Sequence, residues 1–99
     1  MIKRTLALAT AGLLLAAAPA SAAGTRINVD DDYYQPGVKT VSKGTRVVWV
    51  NVGRDPHTVT TRYWSRRLDP GERYARVVKR GFRYHCRFHS GMTGRIAIG

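Results

Sequence analysis

From Arg26 to the end, the chain alternates short apolar, β-branched and aromatic runs with polar punctuation. The runs are RINV at 26–29, VKTV at 38–41, RVVWVNV at 46–52, HTVTT at 57–61, RYARVV at 73–78, FRYHC at 82–86 and RIAI at 95–98. Gln35-Pro36-Gly37, Ser42-Lys43-Gly44, Gly53-Arg54-Asp55-Pro56, Asp69-Pro70-Gly71 and Arg80-Gly81 separate them as turn signals. Runs of this length and composition are strands, and about seven of them with regular turns predict an all-β chain, a β-sandwich or a small barrel. Tyr63–Leu68 is the one stretch with room for a single helical turn. Val47–Val50 is apolar on both faces, which suits a central strand. Along 82–86 the residues alternate, so Phe82, Tyr84 and Cys86 are expected to face inward and Arg83 and His85 outward.

The first residues follow a different pattern. Lys3 and Arg4 precede an apolar run from Leu6 to Ala18, and Pro19-Ala20-Ser21-Ala22 closes it with small residues. This is the layout of a secretory signal peptide cut after Ala22. The run is too short for a membrane span, which takes roughly 20 apolar residues. The expected division is a signal peptide at 1–22 and one domain at 23–99, exported to the periplasm or the extracellular space, with no membrane-spanning segment once the signal is removed. A domain of about 77 residues often requires a staple. An internal disulfide is excluded because Cys86 is the single cysteine.

Charge narrows the partners. Without Lys3 and Arg4, the 15 basic and 6 acidic residues give a net charge of +9 with neutral histidines. The basic residues spread from Arg26 to Arg95 rather than forming a tail, and such a field favours acidic partners. Nucleic acid is not expected, because no nucleic-acid motif accompanies the charge. A solvated face accounts for much of the excess. Asp30-Asp31-Asp32 has no calcium-loop spacing and reads as a solvated acidic patch.

The candidate chemistry is concentrated at Tyr84–Met92, YHCRFHSGM. It holds the only cysteine, two of the three histidines and the only methionine besides Met1. Cys86, His89 and Met92 follow a Cys-x-x-His-x-x-Met spacing, which puts a thiolate, an imidazole and a thioether on one tight loop. These soft and borderline ligands suit copper rather than magnesium or calcium, and two histidines, a cysteine and a weak methionine make an electron-transfer copper site. The chain offers His57 as the fourth ligand. Zinc would accept the first three, although thioether is a poor zinc ligand and structural zinc sites usually carry more cysteines. Taken singly, a cysteine at a strand end is most often a small buried hydrophobe and a methionine a core filler. Their clustering in so sulfur-poor a chain favours the metal.

Three segments carry a family resemblance. RVVWVNVGRDPHTVT resembles the histidine-bearing strand pair of the cupredoxins, the small blue-copper proteins. DPGERYARVVKRGFRYHCRFHSGMTGRIAI resembles their last strands and ligand loop, and YYQPGVKTVSKGTRVVWVN their aromatic-x-Pro…Trp-x-Asn segment. The resemblance runs from Ile27 to Ile98, and the two residues between His89 and Met92 are closest to the amicyanin spacing; plastocyanin and azurin have longer loops. It implies a Greek-key β-sandwich holding one type 1 copper per chain. Cys86 would supply the thiolate, His57 and His89 the imidazoles and Met92 a long axial bond. Thr58 and Asn51 would support these ligands, Thr58 standing where many members have an asparagine that ties the ligand loops together. His89 would be the electron port, with Phe88, Arg87 and Ser90 meeting the partner.

The expected function is therefore a monomeric, exported carrier of single electrons, cycling Cu(II) and Cu(I) and docking an acidic redox protein. The alternative is a periplasmic or extracellular copper-binding protein for delivery or sequestration. An enzyme is not expected. No Ser-His-Asp set or paired-carboxylate site is evident, and every apparent ligand position is filled by protein.

Overall fold

The computed structural model describes residues 24–99, so the expected signal peptide at 1–22 lies outside the described residues. Among the described residues nine strands form: β1 (Thr25–Asp30), β2 (Tyr33–Gln35), β3 (Val38–Val41), β4 (Thr45–Asn51), β5 (His57–Thr60), β6 (Ser65–Leu68), β7 (Arg73–Val78), β8 (Phe82–His85) and β9 (Thr93–Ile98). They make two sheets, ordered β2-β1-β4-β7 and β3-β9-β8-β5-β6. β1 runs parallel to β4 and β3 parallel to β9, while the remaining pairs are antiparallel. Among the described residues there is no helix.

Two of these strands correct the expected count of about seven. β2 is only three residues long and becomes a strand by pairing back on β1 across the Asp31-Asp32 turn, where Asp32 takes φ 75°. Aspartate tolerates that left-handed conformation better than most residues. β6 replaces the expected helical turn over Tyr63–Leu68. The chain returns along β5 in register, His57 opposite Leu68 and Thr60 opposite Ser65. Pairing satisfies the outer backbone groups of β5, which a lone helical turn would leave open. As an edge strand β6 tolerates its unpromising SRRL sequence, with three residues exposed and Leu68 buried.

The apolar runs fill the space between the sheets. Ile27, Val29, Val47 and Trp49 from one sheet meet Val59, Tyr84 and Ile96 from the other. β4 is central in its sheet, as its two-faced apolar sequence requires. Trp49 is fully buried. Its ring lies 5.6 Å from Tyr84 and 6.3 Å from each of Trp64, Tyr74 and Phe82. Such aromatic pairs each add about 0.5–1.5 kcal/mol beyond their area burial. Tyr84 faces Gly94 directly across the β8–β9 pair, and a Cβ on Gly94 would run into the Tyr84 ring.

Charge is segregated along the sandwich. All six carboxylates, Asp30, Asp31, Asp32, Asp55, Asp69 and Glu72, lie at the end where β1 and β4 finish. Gly71 N donates to Asn51 O at 2.9 Å and Arg54 N to the Asp31 carboxylate, which draws the turns together there. The opposite end carries Lys43, Arg62, Lys79 and Arg80 in its turns and no acidic residue. The carboxylate-bearing end is also where His57 and the Cys86–Met92 loop come together.

Candidate metal centre

Three side chains converge between the β4–β5 connection and the loop that links β8 to β9. His57 Nδ1 lies 3.7 Å and His89 Nδ1 3.5 Å from Cys86 Sγ. The donor atoms of all three residues lie within 4.8 Å of one another. A metal ~2.3 Å from sulfur and ~2.0 Å from nitrogen, with about 120° between the bonds, separates those donors by ~3.7 Å. The residues present therefore fit a metal ion. Met92, the fourth expected ligand, is 1 % exposed and packs in the same buried cluster as Cys86. The loop closes on itself, with Cys86 N donating to Met92 O at 3.0 Å and Met92 N to His89 O at 3.3 Å. Gly91 supplies a positive φ of 80° in that turn.

Buried hydrogen bonds set where His57 and the Cys86 segment sit. Asn51 is buried and fully bonded: its amide donates to Asp55 O (2.9 Å) and Leu68 O (2.8 Å), and its Oδ1 accepts from Gly53 N (2.8 Å). These bonds fold the 52–56 connection so that β5 starts with His57 pointing inward. Thr58 Oγ1 accepts from Arg87 N at 2.9 Å, so a hydroxyl ties the two ligand-bearing segments together. Tyr34 OH donates to Thr58 O at 2.6 Å and braces the same point from the other sheet.

Electrostatics favours the thiolate. Burial pushes the Cys86 thiol up, but hydrogen bonding, chiefly with His89 and the Thr58 and Phe88 backbone, brings it down to about 7. Its bond to Cys86 raises the His89 pKa against desolvation, helped by the negative charges of Cys86, Asp32 and Asp55. The two rings differ in access. The His57 side chain is 0 % exposed and that of His89 25 %. Around His89, Phe88 is half-exposed with the Arg67 guanidinium 5.6 Å from its ring centre, and Arg87 and Ser90 are exposed.

Asp31 is the residue that the sequence did not single out. It is no free member of an acidic patch: its Oδ1 lies 2.8 Å from His57 Nε2. Twenty-six positions separate the two residues, and only the packing of the β1–β2 turn against the β4–β5 connection joins them. Asp32 stands 3.7 Å from His89 Nε2, beyond hydrogen-bond reach, and is mostly exposed.

No family model and no curated protein matches the sequence. Solved structures do match. A purple cupredoxin from Nitrosopumilus maritimus superposes with a TM-score of 0.69 at 20 % identity, over 76 % of this chain and 99 % of that one. The fold is the cupredoxin fold. An oxidised mutant of amicyanin gives a TM-score of 0.72 at 18 % identity over 83 % of this chain and 88 % of its own. A copper-containing nitrite reductase from Thermus scotoductus gives 0.70 at 20 % identity, over 77 % of this chain but 22 % of its own length. The likeness is one of fold; the convergence of His57, Cys86 and His89 at one end of the sandwich, with Met92 buried in the same cluster as Cys86, is read from this chain's own geometry.

Proposed function

We propose that this protein is a small blue-copper electron carrier with one type 1 copper held by His57, Cys86, His89 and Met92. The observation that carries the reading is the Cys86 sulfur flanked at 3.7 and 3.5 Å by the Nδ1 atoms of two histidines, beside a buried methionine. That donor set is the one suited to copper cycling between Cu(II) and Cu(I). The chain turns Nδ1 of both imidazoles toward Cys86 and encloses the sulfur from solvent. His89 is the ring that reaches the surface, which supports it as the electron port, with Phe88, Arg87 and Ser90 as the contact rim. The sequence of residues 1–22 supports export, to the periplasm or beyond, and the net positive charge supports an acidic redox protein as partner. Carriage rather than catalysis is favoured because four protein side chains are available to fill the coordination positions.

Titration of the purified domain with Cu(II), followed by visible absorption and electron-spin resonance, tests the reading. The expected result is an intense blue band with small hyperfine splitting that saturates at one copper per chain. Cys86→Ser should remove the band. Persistence of the colour in that variant, or a pale wild type, would sink the assignment. Transfer of Cu(I) to an acceptor chelator faster than electrons exchange would favour copper delivery instead.

A further inference from the structure

We propose that Asp31 is a positioning residue for the metal centre: its carboxylate fixes the tautomer of His57, and its charge favours the oxidised metal. The inference rests on the copper reading above and extends it to a residue outside the ligand set.

The His57 ring is fully buried, so water does not compete for its outer nitrogen. Nε2 lies 2.8 Å from Asp31 Oδ1. A carboxylate only accepts hydrogen bonds, so the proton of the neutral ring sits on Nε2. Nδ1 is then left with its lone pair directed at Cys86 and His89, the form a metal requires. In the other tautomer Nε2 and the carboxylate would confront each other as two acceptors.

The carboxylate is itself firmly held. Arg54 N donates to both of its oxygens, at 3.1 and 3.0 Å, and Asp55 N to Oδ1 at 3.1 Å. Asp31 N donates to Asp30 Oδ1 at 2.8 Å, which sets the turn. Gly53 lies so close that a Cβ there would strike the carboxylate. The backbone is thus built around this one side chain.

A fixed negative charge against a buried imidazole increases the donor strength of its other nitrogen. It also stabilises a divalent ion more than a monovalent one at the same position, because Coulomb energy scales with charge. His89 lacks an equivalent: Asp32 is 3.7 Å away and its side chain 78 % exposed. One imidazole is therefore locked by a hydrogen-bonded carboxylate, while the other meets its nearest carboxylate only at 3.7 Å and is partly open to the surface.

The competing account is that Asp31 merely staples the β4–β5 connection. Two variants separate the accounts. Asp31→Asn keeps an oxygen that can accept from the same donors but removes the charge. Asp31→Ala removes both. Two readouts apply: the ring nitrogen resonances of His57 in the metal-free protein, and the separate affinities for Cu(I) and Cu(II). The wild type should show His57 protonated at Nε2, and Asp31→Ala a mixture of tautomers. Asp31→Asn should lose Cu(II) affinity by about 10- to 100-fold, the range for outer partners of metal-bound histidines, with a smaller change for Cu(I) and a raised potential. A proton on Nδ1 in the wild type would overturn the proposal, as would equal changes in both affinities. Failure of the wild type to bind copper would defeat the copper reading and the claim about oxidation state, whereas the ring resonances still decide the tautomer.

Discussion

At the scale of single residues, Asp31 also links the site to acid stability. Backbone donation from Arg54, the bond to His57 and donation from Asp55 lower its pKa from 3.8 to about 2. Between these values the unfolded chain binds a proton that the folded chain refuses. The contribution of Asp31 is thus complete above its unfolded pKa and disappears as pH falls through about 2. Denaturant unfolding of the metal-free domain across that window should show stability rising with pH. Asp31→Asn should flatten the slope. An unchanged slope would mean that the carboxylate bonds do not persist in solution.

At the scale of elements, the pairing of β8 with β9 depends on a glycine under an aromatic ring. Gly94→Ala would force Tyr84 off its position and strain the packing against Trp49. Overpacking of this kind costs about 1–3 kcal/mol, measurable as a lower denaturant midpoint with an unchanged slope. Because Tyr84 lies two residues before Cys86, the same variant should also perturb the visible spectrum of the copper-loaded protein.

Most of the elements were legible in the sequence because their residues alternate with the strand period. The face of FRYHC could be read from that alternation, and its burial pattern follows it. β2 and β6 were illegible for a physical reason: each is held by a neighbouring strand rather than by its own composition. The convergence of Cys86 and His89, with Met92 buried in the same cluster as Cys86, was legible because these residues are local in sequence. The role of Asp31 was not, since three successive carboxylates look alike in one dimension. Only the turn geometry decides that the second points at His57 while the third turns to solvent.

At the scale of the whole molecule, the separation of charge sets how partners approach. The end that holds His89 mixes acidic and basic residues, and the far end is wholly basic. For the acidic partner proposed above, association should slow by about tenfold or more as the Debye length shrinks from roughly 30 Å at 0.01 M salt to 8 Å at 0.15 M. Stopped-flow measurement over that range checks this. Arg87→Glu, next to the proposed port, should slow association more than Lys79→Glu at the opposite end. Equal effects would show that net charge, rather than a docking patch, governs the encounter.

The proposed metal centre also draws on widely separated parts of the chain. Asp31 belongs to the first turn, His57 begins the fifth strand, and Cys86, His89 and Met92 immediately precede the last one. A growing polypeptide therefore presents the carboxylate and the first imidazole long before the sulfur that they serve. Only a chain that extends through Met92 can gather all the proposed donors, and the loop bearing three of them is clasped when β9 docks between β3 and β8. Capture of an ion there would consequently be a late event in maturation, and colour would report completed folding rather than mere synthesis.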